Sequence, residues 1–238
     1  MSKGLPTPPL SELNGKATLS SDEFVTRCSY ELSKPHSRLL SWEDCYLFFQ
    51  EHFAALAAGK DEELLKQAEF QLGLYLASFG MYRGSSDLLD LHRSVYGSLI
   101  TSLCTVALEN GVTAFKEITD PKIVVALAKK TKESLQDLNI SATSTLISKI
   151  LMGTFAYLPS FDKNLREAVE KLKTNPKTKE LPHIQNLSFG PIQGAEAWHA
   201  FVDTNRSFFE QAAPHFRNSE RSYPIMRVVD LYFWLSKE

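Results

Sequence analysis

The sequence has few features that would crosslink the chain or anchor it in a membrane. Its three cysteines, an odd number at wide spacings, form no CxxC pair and accompany no histidine pattern typical of zinc or an iron–sulfur cluster. No segment approaches the roughly 18 apolar residues of a membrane span, and the first residues, Met1 to Gly15, lack the apolar run of a signal peptide. We therefore expect reduced, mostly buried thiols, no metal or other cofactor, no membrane contact and a cytoplasmic location.

Neither sign of charge dominates the composition. The chain carries 26 lysines and arginines against 28 aspartates and glutamates, a net charge of −2, so no global field attracts it to nucleic acid. A nucleic-acid-binding function would require a local concentration of cations. Lys129, Lys130, Lys132 and Lys149 are candidates for such a strip, and the alternative is that they are ordinary solvated lysines on helix surfaces.

Familiar catalytic motifs are missing as well. The sequence contains no P-loop, GxGxxG turn, HExxH helix or Ser-His-Asp order, so NTPase, dinucleotide-binding, zinc-protease and serine-hydrolase functions lack a positive signal. His52, His199 and His215 are isolated on predicted helices, where half-buried, hydrogen-bonded histidines are common.

Helical patterns occupy most of the chain. Its 238 residues, 43% of them hydrophobic, suffice for a single large domain with a sizeable core. Residues 1–19, which include LPTPP, are predicted to be an irregular arm, and residues 174–194 are the only long predicted loop. The single strand candidate is 185–189. We therefore predict an all-α fold, with one globular multi-helix domain over 20–238.

Capping residues and hydrophobic periodicity define the expected helices. Helix signals begin near Ser20, and the predicted helices that follow are 41–59, 61–80, 85–110, 121–138, 142–155, 195–217 and 224–237. Ser41, Asp120 and Ser141 are the predicted caps of the helices over 41–59, 121–138 and 142–155. A further helix is opened by Ser160 or Asp162 and ends near Lys173. Residues 121–155 thus form a predicted helix, tight turn and helix.

Three segments carry a resemblance to a known family. The segment LNISATSTLISKILMGTFAYLPSFDKNLREAV, residues 138–169, places an aspartate at the mouth of a helix just beyond the predicted hairpin. It resembles the helix-hairpin-helix DNA glycosylase superfamily, in which a hairpin grips a phosphate strand and such an aspartate serves catalysis. Together with LYLASFGMYRGSS and YPIMRVVDLYFW, it is similar to bacterial anti-phage DNA glycosylases that remove modified bases such as glucosylated hydroxymethylcytosine.

The resemblance implies that Asp162 is the catalytic carboxylate. Breakage of the bond between deoxyribose and base gives the sugar oxocarbenium character, which a carboxylate about 3 Å away offsets. The alternative is that Asp162 only caps a helix. Lys149 is the second catalytic candidate, because bifunctional members use a lysine amine as a nucleophile. The spacing favours a monofunctional, water-using mechanism, with Lys149 as a phosphate contact or a charge partner of Asp162.

A turn between two predicted helices is a candidate substrate contact. Tyr82, Arg83, Ser85 and Ser86 bring together an aromatic ring, a guanidinium group and helix amides, which suit a flipped base or a phosphate. The alternative is an ordinary helix-to-helix corner. Further candidates for DNA contacts are Ser141 and Asn164, although the hairpin turn at 139–142 lacks the glycine typical of the family.

The last predicted helix contains an acid among apolar residues. If Asp230 is buried, it needs a cation or hydroxyl partner, and Arg227 and Arg83 are the candidates. A structural ion pair is the expected role, and a role in the site is the alternative. Tyr232 and Trp234 are expected to belong to the core.

Two functions of different classes follow. The first is a monomeric DNA glycosylase that excises a modified base. The second is a non-enzymatic helical interaction module, such as a toxin–antitoxin or defence-complex component, with unspecified protein partners. Convergence of Asp162, Lys149 and Arg83 in one cleft would favour the enzyme, and scatter over the surface would favour the module.

Overall fold

Helices account for nearly all regular structure in the computed structural model, which describes residues 19–84 and 86–236. Ten α-helices in these ranges pack into one domain, and no β-strand occurs there. The predicted arm lies outside the described residues except for Leu19. The helices are α1 (Ser21–Ser33), α2 (Leu39–Ala58), α3 (Glu62–Ser78), α4 (Tyr96–Glu109), α5 (Pro121–Asp137), α6 (Ser144–Thr154), α7 (Lys163–Thr174), α8 (Pro182–Gln185), α9 (Ala195–Gln211) and α10 (Ile225–Leu235).

Several helix ends lie where the sequence predicts them. Ser20 and Glu23 form a reciprocal capping box at α1, and Asp61 accepts a hydrogen bond from the Leu64 amide at the start of α3. Asp120 caps α5 and is followed by proline at the first helical position. At the end of α2, Gly59 has φ 63°, a left-handed conformation that glycine adopts without strain.

The prediction of a continuous helix over 85–110 is wrong in its first half. Two 3₁₀ turns, Asp87–Asp90 and Arg93–Val95, precede α4. The Ser86 hydroxyl accepts from the Leu88 amide, and His92 Nδ1 accepts from the Ser94 amide. These local bonds compete with the α-helical pattern and delay the helix to Tyr96.

Two predicted caps are also wrong. α2 begins at Leu39 and has no side-chain cap, so Ser41 lies inside the helix. α6 is capped by Thr143, whose hydroxyl accepts from the Leu146 amide, and not by Ser141. The Ser141 amide donates instead to Asp87 Oδ2 at 2.7 Å, which ties the turn before α6 to the segment after α3.

The predicted loop over 174–194 contains the short helix α8, and the strand candidate at 185–189 is wrong. Its backbone carbonyls bind side chains of neighbouring helices: Lys173 Nζ donates to the Leu187 carbonyl at 2.7 Å, and Trp198 Nε1 donates to the Ser188 carbonyl at 2.8 Å. The segment is thus attached to α7 and α9 without a partner strand.

Close packing of α6 against α3 positions the candidate site. All α6 residues from Leu146 to Thr154 are buried. At Gly153 an added Cβ would lie 2.5 Å from Cε1 of Tyr75 on α3, so only glycine permits this approach. The end of α3, the middle of α6 and the start of α7 consequently meet beside α10, which is buried on most of its surface.

The cysteines behave as predicted. Cys28, Cys45 and Cys104 are free and buried, and burial raises the pKa of Cys28 and of Cys104 to about 12. Within the part of the chain that the structure describes, no helix combines the length and apolar character needed to cross a bilayer.

Candidate active site

A cavity of about 330 Å³ lies between the end of α3, α6, the start of α7 and α10. Its volume is at the small end of the range for ligand sites. Five cationic side chains and two carboxylates line it, an excess of three positive charges on a chain that is slightly acidic overall. The cations are Arg38, Arg83, Lys149, Lys163 and Arg227; the carboxylates are Asp162 and Asp230.

Asp162 presents one fixed oxygen and one oxygen turned to a cation. As the cap of α7, its Oδ1 accepts from the amides of Asn164 at 3.0 Å and Leu165 at 3.1 Å. Its Oδ2 lies 3.4 Å from Lys149 Nζ, and 31% of its side chain is exposed. The helix cap and the cavity-facing carboxylate are therefore two roles of the same residue.

Lys149 projects from the buried helix α6 into the cavity, and only 3% of its side chain is exposed. Its Nζ lies 5.2 Å from the centre of the Phe79 ring. Burial lowers the pKa of Lys149, while the nearby carboxylates of Asp162 and Asp230 act in the opposite direction. The amine is thus held in a place where its positive charge depends on these neighbours.

Asp230 forms the predicted ion pair, and its partner is Arg227. Arg227 Nη1 donates to Asp230 Oδ2 at 2.6 Å, and the Ser160 amide donates to Oδ1 at 2.7 Å. Burial raises the pKa of Asp230, and Arg227 opposes that shift. The Arg227 guanidinium carbon also lies 4.5 Å from the Trp42 ring centre. The pair belongs to the core and forms part of the cavity wall.

Arg83 lies at the mouth, where this cavity adjoins a second one of about 220 Å³. Its guanidinium lies against Gly80, since a Cβ at Gly80 would be 2.9 Å from Arg83 Cζ. Gly80 also has φ 75°, a left-handed conformation that glycine adopts without strain, so the backbone of this corner favours glycine. Ser86 and Ser141 line the second cavity.

The structure brings together only some of the predicted contacts. Asn164 lines the main cavity, whereas Tyr82 does not and instead forms a hydrogen bond with the Tyr96 hydroxyl. Ser85 lies outside the described residues. The prediction that Lys149 belongs to a surface strip of lysines is wrong, because Lys149 is buried on α6. Lys129 and Lys132 are exposed on α5, as a surface strip requires.

Sequence reasoning missed several cavity residues, among them Lys163 and the group Arg38, Phe79 and Trp234. Trp234, predicted to be core, is only half-buried, whereas Tyr232 is a core residue as predicted. The Arg38 guanidinium carbon lies 5.1 Å from the Trp234 ring centre and 5.6 Å from that of Phe79. Phe79 and Trp234 lie in the segments LYLASFGMYRGSS and YPIMRVVDLYFW, where neither was singled out as a site residue, and Arg38 lies in none of the quoted segments.

Comparison with known proteins adds no family to this geometry. Neither a scan of protein-family models nor searches of curated proteins and of solved structures found a match. The chemistry of the cavity is therefore inferred from its own side chains. A fixed carboxylate can stabilise positive charge that develops on a bound sugar, and the surrounding cations can hold phosphates.

Proposed function

We propose that this chain is a DNA N-glycosylase in which Asp162 is the catalytic carboxylate. The observation that carries the proposal is the convergence of Asp162, Lys149 and Arg83 in one cavity. These residues come from the start of α7, the middle of α6 and the segment after α3. In the rival interaction module, Asp162 and Lys149 would serve only as a helix cap and its ion-pair partner, and Arg83 would have no role in the cavity.

The charge distribution supports a nucleic-acid substrate. Although the chain has a net charge of −2, the cavity lining has an excess of three positive charges. Arg83 and Lys163 are exposed members of this set, so they are accessible to phosphates flanking a base in the cavity.

The proposed reaction is hydrolysis of the bond between C1′ and the base nitrogen. The electron pair of that bond leaves with the base, and Asp162 Oδ2 offsets the positive charge that develops on the sugar. A water oxygen then bonds to C1′ and releases a proton, and the base nitrogen takes up a proton. The products are the free base and an abasic deoxyribose.

Lys149 is proposed to act as the charge partner of Asp162, which makes the enzyme monofunctional. Its lowered pKa would suit a nucleophile, yet its side chain is 3% exposed and its Nζ lies 3.4 Å from the Asp162 carboxylate. Attack on C1′ would require the amine to leave this contact.

The hairpin formed by α5, the turn and α6 is the proposed counterpart of the helix-hairpin-helix element. Asn139 in the turn has φ 57°, a left-handed conformation that asparagine adopts more readily than most residues. Because Asp87 already accepts from the Ser141 amide, Arg83 is the more accessible phosphate ligand in this region.

The proposed substrate is a modified base in phage DNA, with glucosylated hydroxymethylcytosine as the first candidate. This choice rests on the resemblance of LYLASFGMYRGSS, SKILMGTFAYLPSFDKNL and YPIMRVVDLYFW, taken together, to anti-phage glycosylases. Each of the three segments contributes to the cavity wall, for example through Arg83, Asp162 and Asp230.

Assays of abasic sites test the proposal directly. Purified protein and its Asp162→Asn variant are incubated with unmodified DNA, uracil-containing DNA and phage DNA with modified cytosines, followed by alkali cleavage. Asparagine preserves the helix cap, so Asp162→Asn should fold yet form no abasic sites. Asp120→Asn is the matched control, since Asp120 caps α5 outside the cavity. Absence of cleavage on every DNA would favour the interaction module.

A further inference from the structure

Three cations surround the ring of Phe79. Lys149 Nζ lies 5.2 Å from the ring centre, and the guanidinium carbons of Arg38 and Arg227 lie 5.6 Å and 5.7 Å from it. Lys149 is paired with Asp162 at 3.4 Å and Arg227 with Asp230 at 2.6 Å, so among the described residues Arg38 is the cation of these three that has no carboxylate partner. A ligand that carries positive charge would be repelled at this wall, because its charge would add to the uncompensated charge of Arg38.

Arg38 and Trp234 form an open edge of the same wall. Arg38 is exposed, and none of the ion pairs found in 19–84 and 86–236 includes it. Trp42 and Trp198 are fully buried, so Trp234 is the tryptophan that lines the cavity with an accessible surface. Indole and guanidinium planes both stack on flat rings, and the guanidinium also donates hydrogen bonds.

We propose that Arg38, Phe79 and Trp234 form a recognition wall for a planar, uncharged ring with hydrogen-bond acceptors, and that this wall excludes cationic rings. Resting on the proposed glycosylase function, this inference specifies the class of base: neutral modified bases are substrates, and N-alkylated purines with a positive charge are not. Arg38 is a specificity-determining residue in this scheme, since it pairs stacking with donation to a carbonyl or ring nitrogen.

The same cations favour departure of a neutral base over departure of a cationic one. A neutral base carries the bonding electron pair away as an anion until its nitrogen is protonated, and the cations stabilise that anion. A cationic base leaves as a neutral molecule and gains nothing from them. The wall therefore favours a neutral base over a cationic one both in binding and in breakage of the glycosidic bond.

Binding to the wild-type protein tests the charge preference, with a 2′-fluorine on the central sugar of each probe to suppress release of the base. The probes are trinucleotides that differ only at the central base, adenine or its cationic 1-methyl derivative, and the readout is quenching of tryptophan fluorescence. We expect the neutral probe to bind roughly tenfold or more tightly than the cationic one. Equal affinity, tighter binding of the cationic probe, or no quenching by either probe would overturn the inference.

Variants assign the signal to the wall. Trp234→Leu should abolish the quenching, and Arg38→Gln should weaken binding of the neutral probe roughly two- to fivefold and narrow the charge preference. Arg221→Gln is the matched control, because the Arg221 guanidinium stacks 3.9 Å from the Phe115 ring centre outside the cavity. If Arg38 were merely structural, its replacement would lower the melting temperature and leave the charge preference unchanged.

Failure of this inference is distinguishable from failure of the glycosylase proposal. Excision of cationic alkylated purines by the wild type would refute the recognition wall and leave the glycosylase function intact. Charge-selective binding without abasic sites on any DNA would refute the glycosylase function and leave the recognition wall intact.

Discussion

Lys149 Nζ lies 3.4 Å from Asp162 Oδ2, and the two residues differ sharply in exposure, with 3% and 31% of their side chains accessible. The lysine is the less exposed partner, so its charge depends on the aspartate more than the charge of the aspartate depends on the lysine. Asp162 retains its two amide donors at the start of α7 when the lysine is absent.

This asymmetry predicts unequal effects on stability. Asp162→Ala should lower the free energy of unfolding by about 2 kcal/mol, because it removes a helix cap and leaves a buried ammonium without its nearest carboxylate. Lys149→Met should change it by less than about 1 kcal/mol, since an apolar chain of similar length replaces the buried charge. Urea unfolding measures both, and equal losses would contradict the proposed dependence.

The lowered pKa of Lys149 predicts a pH dependence of a definite sign. Between the lowered folded pKa and the ordinary value of 10.5, the unfolded chain binds more protons at this site than the folded chain. Wild-type stability should therefore rise relative to Lys149→Met as pH increases through that window. Urea unfolding of both proteins at neutral pH and near pH 10.5 measures the difference. If the difference in unfolding free energy between the two proteins were the same at both pH values, folding would not change the proton affinity of the Lys149 amine.

Arg83 should contribute one phosphate contact. Arg83→Ala is expected to weaken DNA binding and to reduce the slope of log affinity against log salt by about one unit on duplex DNA. Fluorescence anisotropy over a salt series provides the measurement. Lys132→Ala is the control, since Lys132 is exposed on α5 and lines neither cavity at the Arg83 corner. Equal slopes for wild type and Arg83→Ala would exclude the phosphate contact.

Gly153 should be far less tolerant of alanine than Gly97. At Gly153 the new Cβ would meet the rigid Tyr75 ring at 2.5 Å, and at Gly97 it would meet the movable end of Glu69 at 2.7 Å. We expect Gly153→Ala to destabilise the fold by about 1–3 kcal/mol, which exceeds the gain in helix propensity. Thermal unfolding of both variants tests this, and similar melting temperatures would show that α3 and α6 separate easily.

Local signals were sufficient for most helices. The Asp120–Pro121 start, the Gly59 stop and the Asp162 cap act within one helical turn, so they are legible in sequence and reappear in the structure. Prediction failed at 85–95 and at Ser141, where side chains bind nearby amides or a distant carboxylate. Such bonds depend on which partner the fold brings close, and the hydrophobic periodicity of the sequence does not reveal that partner.

The sequence by itself determined an all-helical chain and, through a family resemblance, the candidates Asp162, Lys149 and Arg83. Only the tertiary structure decided that these three share a cavity and that Arg38, Phe79 and Trp234 complete its wall. The physical reason is range. Capping and amphipathic periodicity join residues within about four positions, whereas the wall joins the starts and ends of helices far apart in the chain, and their meeting depends on how those helices pack.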